Sequence, residues 1–289
     1  MRVLVTGATG NVGRLVVQQL VAAGVQVRAM TRDPGKARFP RLVETVGGDL
    51  TEPAGLAPVL AGVERLYLFP VAHTARQVVD QAQRAGVRRI VVLSSAAVTS
   101  GADTTVHPPV ERAVEEADVE WTHVRPGEFM LNKLLLWGPS IRAENVVYEP
   151  FPEAAWWPVH EKDVADVATA ALLQDGHHGR AYDLSGPELI TRREQVRAIA
   201  TATGRPVRLA AVSPEEARDH YRRQGGFAAA YADFLLGFTD YQGNQREPHS
   251  AWYPNVRANG PRPTAQGVTG HPARTFAQWA NDHADDLRP

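Results

Sequence analysis

Short apolar runs recur along the first half of the chain, and each is followed by an amphipathic stretch. "RVLVTG" (2–7), "GVQVRAM" (24–30), "RLVETVGG" (41–48), "ERLYLFP" (64–70), "VRRIVVLSS" (87–95) and "VEWTHVRP" (119–126) read as strands. In the first spacer Val12, Leu15, Val16 and Leu20 fall on one helical face, and Gly24 is placed to end that helix. Strand, helix, strand, repeated, is the pattern of a parallel sheet covered on both faces, so the expected class is α/β with a doubly wound sheet.

After about residue 130 the rhythm loosens. "HEKDVADVATAALL" (160–173) predicts a helix and "RAYDLSG" (180–186) a further strand. Thr191 with Glu194 and Ser213 with Glu216 form capping boxes that open two more helices. Residues 240–272, rich in Gly, Pro, Asn and His, predict loop, followed by a terminal helix near 273–286. The expected layout is a nucleotide-type domain over 1–155 with a return segment near 160–186, then a smaller α/β lobe over 187–289.

Composition narrows the partners. A chain of 289 residues with 44% hydrophobic content can bury a large core. Lys plus Arg number 31 against 32 for Asp plus Glu, so no basic surface calls for nucleic acid or an anionic membrane. No apolar stretch nears the roughly 20 residues that span a bilayer, and Met1 leads into a strand rather than a targeting leader. With zero cysteines there is no disulfide, thiolate nucleophile or Cys-based zinc site. A cytoplasmic protein acting on a small apolar molecule is expected, as monomer or homodimer. Heavy use of Ala, Arg, Gly and Pro points to a GC-rich bacterial genome.

The loop "VTGATGNVGR" (5–14) carries the first chemistry. A strand ending at Gly7, a tight turn and a helix starting near Asn11 bring unpaired amides and the positive end of a helix dipole together, which suits an anion. Gly7 would permit the turn, Gly10 would let the backbone approach a pyrophosphate, and Gly13 would let the helix press on the strand. Thr6, Thr9, Asn11 and Val12 complete the loop.

"TGxxGxxG" at the first strand resembles the short-chain dehydrogenase/reductase superfamily. "VVLSSAAV" (91–98), "WTHVRPGEFMLN" (121–132), "VHEKDVADVA" (159–168) and "YDLSGPELIT" (182–191) resemble its atypical NmrA-like branch, in the direction of quinone-oxidoreductase-like and isoflavone-reductase-like members. The resemblance runs almost end to end. It implies an NAD(P)-binding Rossmann-type domain with a small C-terminal substrate lobe.

Cofactor choice turns on "MTRDP" (30–34). An acid at the end of the second strand suits a ribose 2′-hydroxyl, and an arginine suits a 2′-phosphate. Asp33 before Pro34 reads as an N-cap with a first-turn proline, which leaves Arg32 as the ribose reader and favours NADPH over NADH. Arg32 also reads as a plain surface arginine. The resemblance carries Asp49 and Leu50 to the adenine side, and places Pro70 and Pro126 along the nicotinamide side. Asp49 and Leu50 read equally as a turn aspartate and a strand-end leucine.

The superfamily's Tyr-x-x-x-Lys pair, in which lysine lowers the tyrosine pKa, cannot exist here. The lysines are Lys36, Lys133 and Lys162, and the residues four before them are Arg32, Phe129 and Pro158. Alignment with isoflavone-reductase-like relatives puts His107 at their functional lysine and Asp103 at the tyrosine. His107 is the substitute best suited to neutral pH, with Glu111 one turn on, and it also reads as a surface residue before a Pro-Pro helix start. Ser94 and Ser95 close the fifth strand at the edge where such sheets bind ligands. Strict register puts Ala96 at the usual catalytic serine, so Ser95 is the catalytic candidate and Ser94 a cofactor candidate.

The ten histidines contain no H-E-x-x-H, and no metal is expected. Asp163 and Asp166 read as carboxylates suited to a helix N-terminus. Trp121, Phe129, Met130, Trp156 and Trp157 are candidate walls for a flat apolar substrate, whereas Phe227, Tyr231, Phe234 and Phe238 at helical spacing read first as core or subunit contact. The expected activity is NADPH-dependent hydride transfer to an apolar, aromatic or quinone-like carbonyl. The alternatives are a non-catalytic NAD(P)-binding sensor and a non-redox isomerase or cyclase.

Overall fold

The computed structural model describes residues 1–248 and 263–289. In chain order the elements are β1 (Arg2–Val5), α1 (Gly13–Ala22), β2 (Gln26–Thr31), β3 (Glu44–Gly47), α2 (Ala57–Leu60), β4 (Arg65–Leu68), α3 (Ala75–Arg84), β5 (Arg89–Leu93), α4 (Ala96–Thr99), α5 (Pro108–Glu115) and β6 (Glu120–Pro126). There follow α6 (Asn132–Leu136), α7 (Gly138–Glu144), β7 (Val146–Glu149), β8 (Ala155–Trp156), α8 (Glu161–Leu173), β9 (Arg180–Leu184), β10 (Ile190–Thr191) and α9 (Arg192–Thr203). The chain closes with β11 (Arg208–Ala211), α10 (Pro214–Gln224), α11 (Gly226–Leu235), α12 (Gln266–Thr269) and α13 (Phe276–Asp282).

These elements form two compact units: Met1–Pro126 with Glu161–Leu184 and Ala265–His271, and Gly127–His160 with Ser185–Thr264 and Pro272–Pro289. The first holds a seven-stranded sheet in the order β3-β2-β1-β4-β5-β6-β9, parallel throughout, a Rossmann-like arrangement. Alternation along the strands sorts the core. Leu4, Leu66, Leu68, Ile90 and Val92 pack with α2, α3 and α5 on one face. Val3, Val5 and Val91 are equally buried and point to the opposite face, the side of α1 and α8. Burying each such side chain contributes about 1.5–3 kcal/mol. The chain reverses direction across the sheet between β1 and β4, and open α/β sheets bind ligands at the strand C-termini beside that switch.

The second unit packs Trp137, Ile141, Val147, Ile199, Phe276 and Trp279 into its own core. Its β-structure is two short pairs, β7 with β11 in parallel and β8 with β10 antiparallel.

Element ends follow local chemistry. Gly24 takes φ +72° after α1, and both expected capping boxes form. A third box, Thr275 with Gln278, opens the terminal helix three residues later than expected. Strand β4 stops at Leu68, before Pro70, which has no amide to continue a ladder. Residues 249–262 of the expected loop at 240–272 lie outside the described residues, and the described part includes the single-turn helix α12.

Candidate functional site

The glycine turn follows β1. Gly7 takes φ +58°, a left-handed value that side chains resist. A Cβ on Gly13 would lie 2.2 Å from the Gly7 carbonyl oxygen, and one on Gly10 would lie 3.1 Å from it. Glycine at 13 is therefore what lets α1 start against the end of β1. Thr9, Gly10 and Asn11 are exposed and Val12 is buried. The amides of Asn11, Val12 and Gly13 have no acceptor among the described residues, so three free donors gather at the N-terminus of α1. That donor set, with the space a Cβ would fill, fits a dinucleotide pyrophosphate. The Thr6 hydroxyl is spent internally: it donates to the Tyr67 carbonyl at 2.9 Å and accepts the Phe69 amide at 2.8 Å, tying β1 to β4. Phe69, which the sequence did not single out, rests against Gly7 while 45% exposed.

At the ends of β2 and β3 the charges alternate. Arg32 is exposed beyond β2, and Asp33 stands before the short 3-10 turn Pro34–Lys36. Asp33 makes no side-chain cap, contrary to the N-cap expectation. Its carboxylate pairs with the Lys36 ammonium at 2.8 Å, an alternative the isolated turn cannot reveal. Asp49 accepts the amide and the hydroxyl of Thr51, both at 2.8 Å. Those bonds, against slight desolvation and with Arg32 acting in the same direction, hold its carboxyl below the ordinary range. Leu50 is buried in the core, and its carbonyl accepts the Thr74 hydroxyl at 2.7 Å. Pro70 is half-buried.

The C-terminal ends of β5 and β6 carry a tighter network. The buried Ser94 hydroxyl donates to Glu111 at 2.6 Å, and Arg125 grips the same carboxylate through two bonds of 2.8 and 2.6 Å. Burial pushes the Glu111 carboxyl up, but the Arg125 fork and the Ser94 hydroxyl outweigh it and hold it below the ordinary range. Arg125 also reaches the Thr99 hydroxyl, which donates to Asp183 at 2.7 Å. Glu111 is thus a fixed carboxylate at neutral pH. Ser95 caps α4 by accepting the Ala97 amide at 3.2 Å. Pro126 ends β6 opposite Leu184.

One turn before Glu111, His107 Nδ1 lies 2.5 Å from the carboxylate of Asp103. Asp103 is buried and also accepts the amides of Thr105, Val106 and His107. Desolvation opposes these bonds, yet together with the imidazole they keep Asp103 below the usual carboxylate range. Asp103 and His107 thus form an aspartate–histidine pair, with the His107 ring 18% exposed.

The aromatic candidates scatter. Trp121 sits near the start of β6, the end opposite Pro126, and stacks on His123 at 4.6 Å. Met130 is fully buried in the core of the second unit, so its side chain is packing rather than an open wall. Phe129 bridges Val159, Trp156 lies in β8, and Trp157 accepts the Gly186 amide through its carbonyl; all three are half-buried. Near Phe129 the same unit buries a charge cluster in which Lys133 and Arg192 both donate to Glu128 at 2.6 Å.

Asp166 accepts the Gln19 amide at 2.6 Å, joining α8 to α1. Among the described residues, Glu111, Glu115 and His123 bring ligand-type atoms within 4.8 Å of one another. Glu111 is already held by Arg125, and His123 Nε2 meets Glu115 at 3.0 Å, so the group reads as an ion-pair network. No helix among the described residues is long and apolar enough to cross a membrane.

Residues 7–175 match the family model described as NAD(P)H-binding. The chain is 37% identical over 295 residues to the (4-alkanoyl-5-oxo-2,5-dihydrofuran-3-yl)methyl phosphate reductase of Streptomyces griseus, covering 99% of each. It is 33% identical to the NAD(P)H azoreductase of Xenophilus azovorans, covering 98% of each. Its fold resembles the crystal structure of Citrobacter sp. triphenylmethane reductase complexed with NADP(H), with a TM-score of 0.75 at 22% identity over 98% of this chain and 100% of that one.

Proposed function

The chain belongs to the NAD(P)H-binding, NmrA-like oxidoreductases, and from that premise we propose that it is an NADPH-dependent reductase of apolar, conjugated acceptors such as quinones and enones. The observation that carries this reading is the Asp103–His107 pair, two residues that the family resemblance aligns with the superfamily's tyrosine and lysine. When bound, reduced nicotinamide supplies hydride. The amides of Asn11 to Gly13 would hold the pyrophosphate, and Arg32 the 2′-phosphate.

The Asp103 carboxylate accepts the Nδ1 proton of His107, so Nε2 has a proton to give only in the imidazolium form, and from that form His107 would protonate the acceptor oxygen. Ser94 has its proton directed to Glu111 and acts as an acceptor, whereas Ser95 keeps its own proton for a carbonyl. An imidazole is a weaker substitute for the tyrosine–lysine relay. It suffices where the product's charge is delocalised, and that disfavours simple ketones.

The names of the relatives agree with this electronic demand. A lactone double bond flanked by two carbonyls, an azo group and a triphenylmethane dye are all conjugated electrophiles. The test is the rate of NADPH oxidation, with NADH in parallel, against quinones, enones and aromatic ketones. Turnover favouring NADPH and conjugated acceptors, and falling about 10²-fold in His107→Ala, is the expected result. Tight cofactor binding by calorimetry without turnover on any acceptor would refute it in favour of the sensor.

A further inference from the structure

The stretch from Ser95 to His107 carries, one at each end, the two groups read above as meeting the acceptor oxygen. Between them lie α4, a single helical turn, and irregular chain, and a helix that short does not hold its own position. A side chain on β6 reaches past both ends. Arg125 sends Nη1 to the Thr99 hydroxyl at 3.0 Å, one helical turn beyond Ser95. It sends Nε and Nη2 to Glu111 at 2.8 and 2.6 Å, one turn beyond His107, and the Glu111 amide donates to the His107 carbonyl at 3.1 Å. A guanidinium is planar and rigid, so its nitrogens hold Thr99 and Glu111 at a fixed separation. Neighbouring strands brace both partners: Thr99 donates to Asp183 on β9 at 2.7 Å, and Ser94, just past β5, donates to Glu111 at 2.6 Å.

We propose that Arg125 is a positioning residue for the reaction: its fork sets Ser95 and His107 in one fixed relation, so that both are aimed at the same acceptor oxygen. The inference rests on the reductase reading, in which those two groups meet the acceptor, and Arg125 acts through them. A tyrosine and lysine on one helix are spaced by the helix itself, whereas Ser95 and His107 are joined by irregular chain and need their spacing imposed from outside. The Glu111 bonds alone would satisfy the buried carboxylate. The third nitrogen goes to Thr99, which is exposed, and a hydrogen bond there adds little to folding, so its consequence falls on position. Misplacing a reacting group by about 1 Å costs about 10²-fold in rate.

The test compares Arg125→Lys, Thr99→Val and Thr99→Ser with wild type, each as the full chain. Arg125→Lys keeps the charge and loses the fork, and Thr99→Val removes one arm of it at an exposed position that folding tolerates. Without cofactor, the amides of Asp103, Val106 and His107 should exchange with deuterium about tenfold faster in both, with those of β1 and β4 unchanged. With NADPH and a quinone, kcat should fall about 10- to 100-fold in Arg125→Lys and about fivefold in Thr99→Val, while the NADPH Kd and quinone KM stay within about twofold. Thr99→Ser, which keeps the hydroxyl, should recover the lost rate. In the His107→Ala background Arg125→Lys should lower kcat by less than about threefold, because the group it aims is gone. An unchanged kcat in both variants overturns the proposal. So does an equal loss with and without His107, or exchange that quickens across the whole sheet, since either makes Arg125 a folding contact only. A His107→Ala chain as active as wild type refutes the reading of His107 and the proposal with it. Activity lost in His107→Ala but kept in Arg125→Lys refutes the proposal alone.

Discussion

Gly13→Ala isolates the cofactor cradle from the rest of the fold. The new Cβ would lie 2.2 Å from the Gly7 carbonyl oxygen, and real contacts of this kind do not fall below 3.0 Å, so helix and turn must separate by about 0.8 Å. Both contacting groups are backbone, and no side chain can rotate away. Overpacking of this kind costs about 1–3 kcal/mol, offset by less than the ~1 kcal/mol by which alanine exceeds glycine in a helix interior, since residue 13 is the first of α1. At about 2–4 °C per kcal/mol, Tm should fall by several degrees. The same displacement carries the amides of Asn11 to Gly13 away from a pyrophosphate. Lengthening hydrogen bonds of about 2.9 Å by that much removes most of their value, so cofactor Kd should rise about 10- to 100-fold. Gly24→Ala is the control: φ is +72° but no atom lies within 4 Å, so it should cost ~1 kcal/mol of stability and leave binding alone. Scanning calorimetry and cofactor titration read both quantities. Gly13→Ala that binds within twofold of wild type, or Gly24→Ala that weakens binding as much, would refute the reasoning.

Glu111→Gln keeps an acceptor for Ser94 but strands Arg125, whose side chain is 17% exposed, and should cost about 3 kcal/mol in urea unfolding. In the second unit, burial raises the Glu128 carboxyl but Arg192 and Lys133 outweigh it and bring it down to about 2, against 4.5 when unfolded. Its contribution is therefore complete above about pH 4.5 and is lost as pH falls toward 2. Glu128→Gln should be less stable at pH 7 and show a shallower acid limb over that window, read from Tm against pH.

Much of this molecule was legible in its hydrophobic pattern. The six strand runs, the α8 helix, the return strand and both early capping boxes follow from period, turn residues and caps, which are local properties. The glycine turn was legible for the same reason: strand, glycines and helix are contiguous, and the conformation Gly7 requires is a matter of its own backbone. The missing tyrosine–lysine pair needed only the positions of three lysines.

What the tertiary structure decided is which distant residues meet. Nothing in the sequence joins Ser94, Glu111 and Arg125, because they come from a strand end, a helix and the next strand, and only the parallel register brings them within hydrogen-bond range. The same register put Trp121 at the far end of β6 and packing buried Met130, although both carry the residue types of a substrate wall. Even the close pairs Asp33–Lys36 and Asp103–His107 depended on fold. A carboxylate near a helix start can cap it or bind a nearby cation, and the two differ by little free energy in an isolated segment. Their surroundings, an exposed turn for Asp33 and a buried pocket with three amides for Asp103, made the choice.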